Sequence, residues 1–155
     1  MDTVEKYQML KSIYAGALAD AVLRLGREGV LERVTRQKRT EQLAGGKIRA
    51  AQFGIASPQE VFTKLAELMG CADWTIETNG EDGFTATASR CMLCALTKKL
   101  GTQSPCRIYC LDPMEGMVKG LDQDANFDIK ATLFDDTQCR VVITRKTDQA
   151  GQIML

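Results

Sequence analysis

The chain has 155 residues, with 20 basic and 20 acidic side chains and no histidine. This is the length of one domain, which can bury a core without disulfide bonds. The balanced charge gives no global field that would attract nucleic acid or an anionic membrane. The lack of histidine excludes every catalytic triad, dyad or metal site that needs imidazole.

The sequence predicts a cytoplasmic protein that has no membrane or nucleic-acid partner. Its first residues lack the basic and then apolar layout of a secretory signal, and no apolar stretch reaches the length of a membrane span. One short basic run is interrupted by threonine and glutamine and flanked by glutamates. Such a run is typical of a solvated helix face. Its members are Arg33, Arg36, Lys38 and Arg39.

The N-terminal region is predicted to be helical. Apolar residues at helical spacing between positions 4 and 26 indicate one long amphipathic helix that ends near Gly26. A second, more polar helix begins near Glu28, and Gly45 and Gly46 are expected to stop it. The first helix offers an apolar face through which the chain could form a homodimer.

From Ser57 onwards the pattern alternates between helices and strands. Ser57 and the proline after it form a helix start, and Gly70 is expected to end that helix. Turn residues then separate two β-prone pairs, which predict two hairpins. The pairs are residues 73–78 with 84–88 and residues 127–134 with 138–144.

Two helices are predicted between the hairpins. Ser89 can cap the first, which would run from residue 90 to 100, and Asp112 can cap the second in front of Pro113. A turn after Ser104 could carry Cys106 and Cys110, although Pro113 should prevent its continuation into the next helix.

These elements predict a single α+β domain. Its N-terminal helices, residues 1–56, precede an α+β core at residues 57–146, and residues 147–155 form a polar tail that we expect to be frayed. The core should contain an antiparallel sheet of about four strands, with the cysteine-bearing helices inserted between the two hairpins.

Four of the six cysteines follow the pattern C-x2-C-x11-C-x3-C: Cys91, Cys94, Cys106 and Cys110. Cys91 and Cys94 share a helix face, and Cys106 and Cys110 do so if their turn is helical, so the four thiolates could form a closed tetrahedral zinc site. The glycine-containing knuckles typical of such sites are absent. A redox or mixed-disulfide role is a second interpretation. The third is that the thiols pack as small hydrophobes or line a pocket.

Cys91 is the strongest candidate nucleophile. Its position at a helix start, beside Arg90, should lower the pKa of its thiol. Without histidine, its base would have to be a carboxylate or a lysine, such as Asp112 or Lys98. Asp112 is also fully explained as a helix cap.

Other sulfur-bearing residues are candidates for a ligand pocket. Met114 and Met117 recur at helical spacing and could give an adaptable apolar wall, although such methionines are also ordinary core residues. Cys139 falls on the apolar face of the last strand and should point into the core.

Several short segments resemble the L-2-amino-thiazoline-4-carboxylic acid hydrolase-like family. They are Leu25-Gly26-Arg27-Glu28-Gly29, Ser89-Arg90-Cys91, Leu100-Gly101, Tyr109-Cys110-Leu111-Asp112 with Met114, Gly116 and Gly120, and Asp136-Thr137-Gln138-Cys139-Arg140. The resemblance implies a fold like that of the vinyl-reductase-like small-molecule-binding domains. It also implies hydrolytic opening of a thiazoline ring, and it carries over Cys91, Cys110, Asp112 and Cys139 as site residues.

We therefore expect a domain that binds a sulfur- or nitrogen-containing small molecule between the sheet and the cysteine-bearing helices. Cys91 would be the nucleophile or ligand contact and Asp112 its helper, with Cys110, Cys139, Met114 and Met117 as pocket walls. The sequence leaves open whether the domain catalyses hydrolysis of a cyclic C–N bond. The alternatives are a noncatalytic zinc-binding or redox-responsive module and a dimeric interaction protein.

Overall fold

The computed structural model describes residues 1–145. The tail predicted for residues 147–155 lies outside these residues. In chain order the elements are α1 (Thr3–Arg27), α2 (Leu31–Gln52), α3 (Pro58–Met69), β1 (Thr75–Thr78), β2 (Gly83–Ala88), α4 (Met92–Leu100), a π turn (Arg107–Leu111), α5 (Asp112–Leu121), β3 (Ala125–Ala131) and β4 (Cys139–Arg145). None of the helices described is long and apolar enough to cross a membrane.

The four strands form one antiparallel sheet in the order β1-β2-β4-β3. Each predicted hairpin is present, and the two hairpins join through β2 and β4, where Ala86 is paired with Val141. The helices α4 and α5 and the π turn are inserted between the hairpins. The predicted α+β class is therefore confirmed.

The core lies on one face of this sheet. Cys139, Val141 and Ile143 alternate inwards along β4 and are all buried, so the predicted inward direction of Cys139 is confirmed. Phe62 of α3 packs edge to face against Trp74, with ring centroids 5.2 Å apart, and likewise against Phe84. These contacts tie α3 to the sheet, because aromatic side chains bury large apolar areas.

Local sequence signals set several helix ends as predicted. Ser57 accepts a hydrogen bond from the backbone N–H of Glu60 at the start of α3. Gly70 and Gly101 follow α3 and α4 with φ angles of 61° and 70°. This left-handed conformation strains residues that have a side chain and ends a helix at glycine.

The predicted stop at Gly45 and Gly46 is wrong, because α2 continues to Gln52. Gly46 is buried where α2 crosses α5, and a Cβ there would lie 1.8 Å from the carbonyl oxygen of Gly116. The opposing glycines of α5 are equally close, since a Cβ on Gly116 would meet the backbone of Gln42 at 2.2 Å. Gly46 therefore serves close helix packing and not helix termination.

Candidate functional site

A mostly apolar pocket of about 290 Å³ opens among the helices. This volume is near the lower end of the range for small-molecule sites. Its walls come from α1 to α5, the π turn and the connection between α3 and β1. They are formed by Tyr14, Leu18, Lys38, Gln42, Arg49, Phe53, Leu65, Met69, Cys71, Ala72, Trp74, Cys91, Leu93, Ile108, Tyr109, Cys110, Pro113, Met114 and Met117.

The pocket contains only some of the residues expected from the sequence. Cys91, Cys110, Met114 and Met117 line it together. Cys139 does not, because it is buried in the sheet, where its Sγ accepts a hydrogen bond from the N–H of Leu133. The expected location between sheet and helices also needs correction: helices enclose the cavity, and its wall stops at Trp74, just before β1.

Cys91 itself is the N-cap of α4, whereas Ser89 was predicted to hold that position. Ser89 is unavailable because its hydroxyl donates a 2.6 Å hydrogen bond to the Asp73 carboxylate. The same carboxylate accepts from the N–H groups of Ser89 and Arg90. These bonds, led by that of the Ser89 hydroxyl, lower the pKa of Asp73 to about 2. Asp73 thus fixes the segment that positions Cys91.

The cap position makes the Cys91 sulfur an acceptor for the first amides of α4. Its Sγ accepts from the N–H of Cys94 at 3.5 Å. The pKa of Cys91 is lowered to about 7, chiefly by a hydrogen bond from the Cys94 thiol and further by the N–H groups of Cys94 and Leu93, although burial opposes this. Arg90 has another partner: its exposed guanidinium lies 3.7 Å from Asp73. Hydrogen bonding, and not the expected neighbouring charge, activates the thiol.

Three thiols form a continuous chain that runs inward from the pocket wall, which we call the thiol chain: Cys91, Cys94 and Cys106. The Sγ atoms of Cys94 and Cys106 are 3.5 Å apart, and both residues are buried. The pKa of Cys94 is raised, because its thiol keeps its proton while donating to its neighbours. One S–H can donate to one acceptor at a time, so Cys94 can stabilise a thiolate at Cys91 or at Cys106, but not at both together.

Cys71 belongs to the same pocket, although the sequence analysis did not select it. It precedes the bridge between Ala72 and Cys91, and its carbonyl accepts from the N–H of Met92 at 2.9 Å. Burial raises the pKa of the Cys71 thiol, and the nearby Cys91 raises it further. Burial also raises the pKa of Cys110 well above its ordinary value. Of the thiols in the pocket wall, Cys91 alone has a lowered pKa.

Neither predicted base is placed to serve Cys91. The Asp112 carboxylate is 1% exposed and is held by Arg39 at 2.9 Å and Arg107 at 3.2 Å, outside the pocket wall. Lys98 is exposed near the other end of α4, about 10 Å along the helix axis from Cys91. The pairing of Cys91 with either group is therefore not supported by the geometry.

Asp112 is not a helix cap either, because the π turn runs directly into α5. The N–H of Asp112 bonds to the carbonyl of Arg107, five residues earlier. Pro113 has no N–H for the corresponding bond to Ile108. Instead, the Ile108 carbonyl accepts from the Gln42 side chain at 3.3 Å. This cross-helix bond lets the chain pass through Pro113 where the sequence predicted a break.

Two cations lie in the mostly apolar wall. Lys38 and Arg49, both from α2, line the pocket, and the Lys38 ammonium is 5.9 Å from the centre of the Tyr109 ring. Two other cations of the basic run have acidic partners, since Arg36 pairs with Glu32 and Arg39 pairs with Asp112. The pocket can therefore attract an anionic group at one side while its interior holds an apolar one.

The cysteines do not form a metal site in this geometry. Within residues 1–145, no group of three or more Cys, Asp or Glu side chains is arranged to hold a metal ion. The zinc interpretation required Cys91, Cys94, Cys106 and Cys110 to converge on one point. Cys110 instead directs its thiol toward the Met114 sulfur at 3.8 Å. The four-cysteine zinc site therefore has no geometric support.

A related architecture occurs in a solved structure. The chain is similar to the crystal structure of a trafficking protein particle complex subunit 3 from Naegleria fowleri covalently bound to palmitic acid. The TM-score is 0.50 at 12% identity, and the alignment covers 90% of this chain and 96% of that chain. Similarity at this identity establishes the fold alone. No family model matches the chain, and no curated protein matches it.

Proposed function

We propose that this domain binds a small molecule with an apolar body and an anionic or carbonyl end, and that the Cys91 thiolate contacts or attacks that end. The observation that carries the proposal is the composition of the pocket wall. Apolar side chains surround the cavity, Cys91 supplies a nucleophilic sulfur, and Lys38 and Arg49 supply positive charge.

Two likenesses support this class of ligand. The similar trafficking subunit carries palmitic acid covalently, and palmitic acid combines an apolar chain with a carbonyl end. The thiazoline carboxylate implied by the hydrolase-like family combines a small ring with a carboxylate. The thiazoline ring offers an electrophilic carbon to a thiolate, and a palmitoyl group does so once it is activated as a thioester. The thiazoline carboxylate would be favoured by Lys38 or Arg49.

A stable covalent adduct is favoured over rapid hydrolysis. Turnover of an acyl-cysteine requires a base that activates water, and without histidine this would be a carboxylate or a lysine. Among residues 1–145, the pocket wall contains no aspartate or glutamate, and its lysine is Lys38. We therefore propose an acyl thioester donor as the preferred reactant, with ring-opening hydrolysis as the slower activity.

In the proposed step, the Cys91 thiolate attacks the carbonyl carbon of the acyl thioester. A new C–S bond forms to Cys91, and the C–S bond to the donor breaks. The donor leaves as a thiolate and takes up a proton from water. No oxidation or reduction occurs, and Cys91 ends as an uncharged thioester inside the apolar wall.

Cys91→Ala is expected to abolish adduct formation with an alkyne-tagged palmitoyl thioester of coenzyme A. The wild-type protein should gain the mass of one acyl group. The rate of acylation should rise with pH and reach half of its maximum near pH 7, because the pKa of Cys91 is about 7. Intact-protein mass spectrometry at pH 5.5 to 9 measures both quantities, and the thiazoline carboxylate is assayed in parallel.

Cys139→Ala is the matched control, because this thiol is buried outside the pocket wall and burial raises its pKa to about 11. It should acquire the acyl group as the wild type does. An adduct that maps to Cys71 or Cys110, or binding and turnover that are unchanged in Cys91→Ala, would show that the site is wrongly assigned.

The exposed apolar face of α1 supports homodimerisation as a second proposed function. Met9, Leu10 and Ile13 share one face of α1 and are all exposed, and Leu10 and Ile13 retain 65% and 61% of their accessible surface. Several large apolar side chains this close together on one helix are unusual for a free surface. Because the six cysteines are free thiols, we also propose a reducing, cytoplasmic location.

Charge on this face should dissociate the dimer. Leu10→Glu combined with Ile13→Glu is expected to convert a wild-type dimer into a folded monomer, as measured by light scattering during size-exclusion chromatography. Ile48→Glu on α2 is the matched control, because Ile48 is 66% exposed but lies on another helix. A wild-type protein that stays monomeric at high concentration counts against the proposal.

A further inference from the structure

The start of α4 places two cysteines in different environments within one helical turn. Cys91 is the N-cap and lies in the wall of the open pocket, whereas Cys94 is 4% exposed. The backbone N–H of Cys94 points at the Cys91 sulfur, 3.5 Å away. In a C-x-x-C pair with this arrangement, the accessible thiol can react first with an incoming molecule. The buried thiol can then attack the mixed disulfide that forms.

A third thiol stands behind Cys94. The Sγ atoms of Cys94 and Cys106 are 3.5 Å apart, and neither residue is in the pocket wall. A disulfide bond is about 2.05 Å long, so the two sulfurs would need to approach by about 1.5 Å. The thiol chain therefore leads from the pocket to a buried pair that is already in van der Waals contact.

We propose that the thiol chain is a thiol–disulfide exchange centre, which reduces a small disulfide admitted by the pocket and retains the resulting protein disulfide between Cys94 and Cys106. This activity goes beyond the acyl-binding proposal. The two share the Cys91 thiolate, but only the exchange reaction requires Cys94 as an attacking group.

The reaction proceeds through three exchanges. The Cys91 thiolate attacks one sulfur of the small disulfide, forms a mixed disulfide and releases the first small thiol. Cys94, after losing its proton, attacks the Cys91 sulfur and releases the second small thiol. Cys106 then attacks Cys94 and returns Cys91 to the thiolate form. Two protein thiols have been oxidised, one small disulfide has been reduced, and the two protons leave with the two small thiols.

The pocket also indicates the chemistry of the small disulfide. Its interior is apolar, and Lys38 and Arg49 supply positive charge. An aromatic or aliphatic disulfide that carries a carboxylate satisfies both conditions. The probe 5,5′-dithiobis(2-nitrobenzoate) has this composition and releases a coloured thiolate, 2-nitro-5-thiobenzoate, at each exchange.

One molar equivalent of this probe, added to the fully reduced protein, provides the test. We expect the wild type to release two coloured thiolates per probe and to retain none. Cys94→Ser should release one and retain the other on Cys91 as a stable mixed disulfide. Cys91→Ser should react at least about tenfold more slowly, because the accessible thiolate is lost. Cys139→Ser, outside the thiol chain, should behave as the wild type.

Tryptic peptides identify the disulfide directly. Cleavage after Arg90, Lys98, Lys99 and Arg107 leaves Cys91 and Cys94 in one peptide and Cys106 in another. A disulfide between Cys94 and Cys106 therefore joins two peptides, and we expect Cys106→Ser to hold its disulfide within residues 91–98. These digests use non-reducing conditions at mildly acidic pH, which suppress further exchange.

The proposal is overturned if the wild type retains one nitrothiobenzoate group per protein, or if its disulfide does not join Cys94 to Cys106. The wild-type measurements decide this even if a serine variant fails to fold. Acylation measured on the wild type separates the two proposals, because acyl uptake together with one retained nitrothiobenzoate group would count against the exchange proposal alone. Loss of acyl uptake in the wild type, with normal exchange, would count against the acyl proposal alone.

Discussion

Gly46→Ala is expected to destabilise the domain by about 3 kcal/mol, a large effect for the addition of one methyl group. The added Cβ would lie 1.8 Å from the Gly116 carbonyl oxygen and 2.7 Å from the Met117 nitrogen. Both contacts are with backbone, so no side chain can rotate away to relieve them. The helices α2 and α5 would have to separate, which would also disturb the wall of the pocket. Urea unfolding followed by circular dichroism measures the change.

The adjacent Gly45 gives the matched control. A Cβ at this position meets no atom within 4 Å. Gly45→Ala should therefore stabilise α2 by up to about 1 kcal/mol, because alanine has the higher helix propensity. The two substitutions are chemically identical and lie one residue apart. If both variants shift the urea midpoint in the same direction, the close crossing of α2 and α5 at Gly46 is wrong.

Arg39→Met should cost about 3 kcal/mol, because it leaves two buried carboxylates without their shared cation. The Arg39 guanidinium lies 2.9 Å from Asp112 and 2.5 Å from Glu115, and these acidic side chains are 1% and 5% exposed. Arg107 can still hold Asp112, but Glu115 loses the ion pair that it makes here. Methionine keeps most of the apolar stem, so the change reports mainly on charge.

Arg36→Met is the control for Arg39→Met. Arg36 is also on α2 and pairs with Glu32 at 2.8 Å, but both side chains are well exposed. Its loss should change the free energy of unfolding by about 0.5 kcal/mol or less. Thermal and urea unfolding of both variants at neutral pH gives the comparison. Equal effects would mean that the Asp112 and Glu115 carboxylates are solvated in the native protein.

The elements that the sequence predicted correctly depend on short-range signals. The start of α3 at Ser57 and its end at Gly70 need only neighbouring residues, and alternation along β4 places Cys139 in the core. The failed predictions depend on distant residues. Gly46 meets Gly116, which is 70 positions away, and the local pattern of a glycine pair is the same whether it ends a helix or packs against one.

The same distinction between short-range signals and distant contacts applies to the candidate site. The thiol at the start of α4 could be selected from sequence, but Asp73 was needed to show why the cap is Cys91 and not Ser89. Lys38 and Arg49 read as ordinary surface cations, and Cys71 lies outside the four-cysteine pattern. One sequence signal for these pocket residues is that they stand beside apolar positions. Many solvated helices show the same pattern, so it does not identify a pocket. Only tertiary structure gathers them around one cavity.

The π turn has a consequence for how this architecture can vary between related chains. A π turn holds one residue more than an α-helical turn, so its removal by a one-residue deletion would restore an uninterrupted helix. The wide turn absorbs its extra residue, so the residues after it would keep nearly the same direction once that residue was deleted. Met114 and Met117 would stay in the wall of the cavity, and Gly116 would stay opposite Gly46. A one-residue deletion in the regular part of α5 would instead rotate every later residue by about 100° around the helix axis. The π turn is therefore the place where this helix can lose one residue without changing the lining of the cavity.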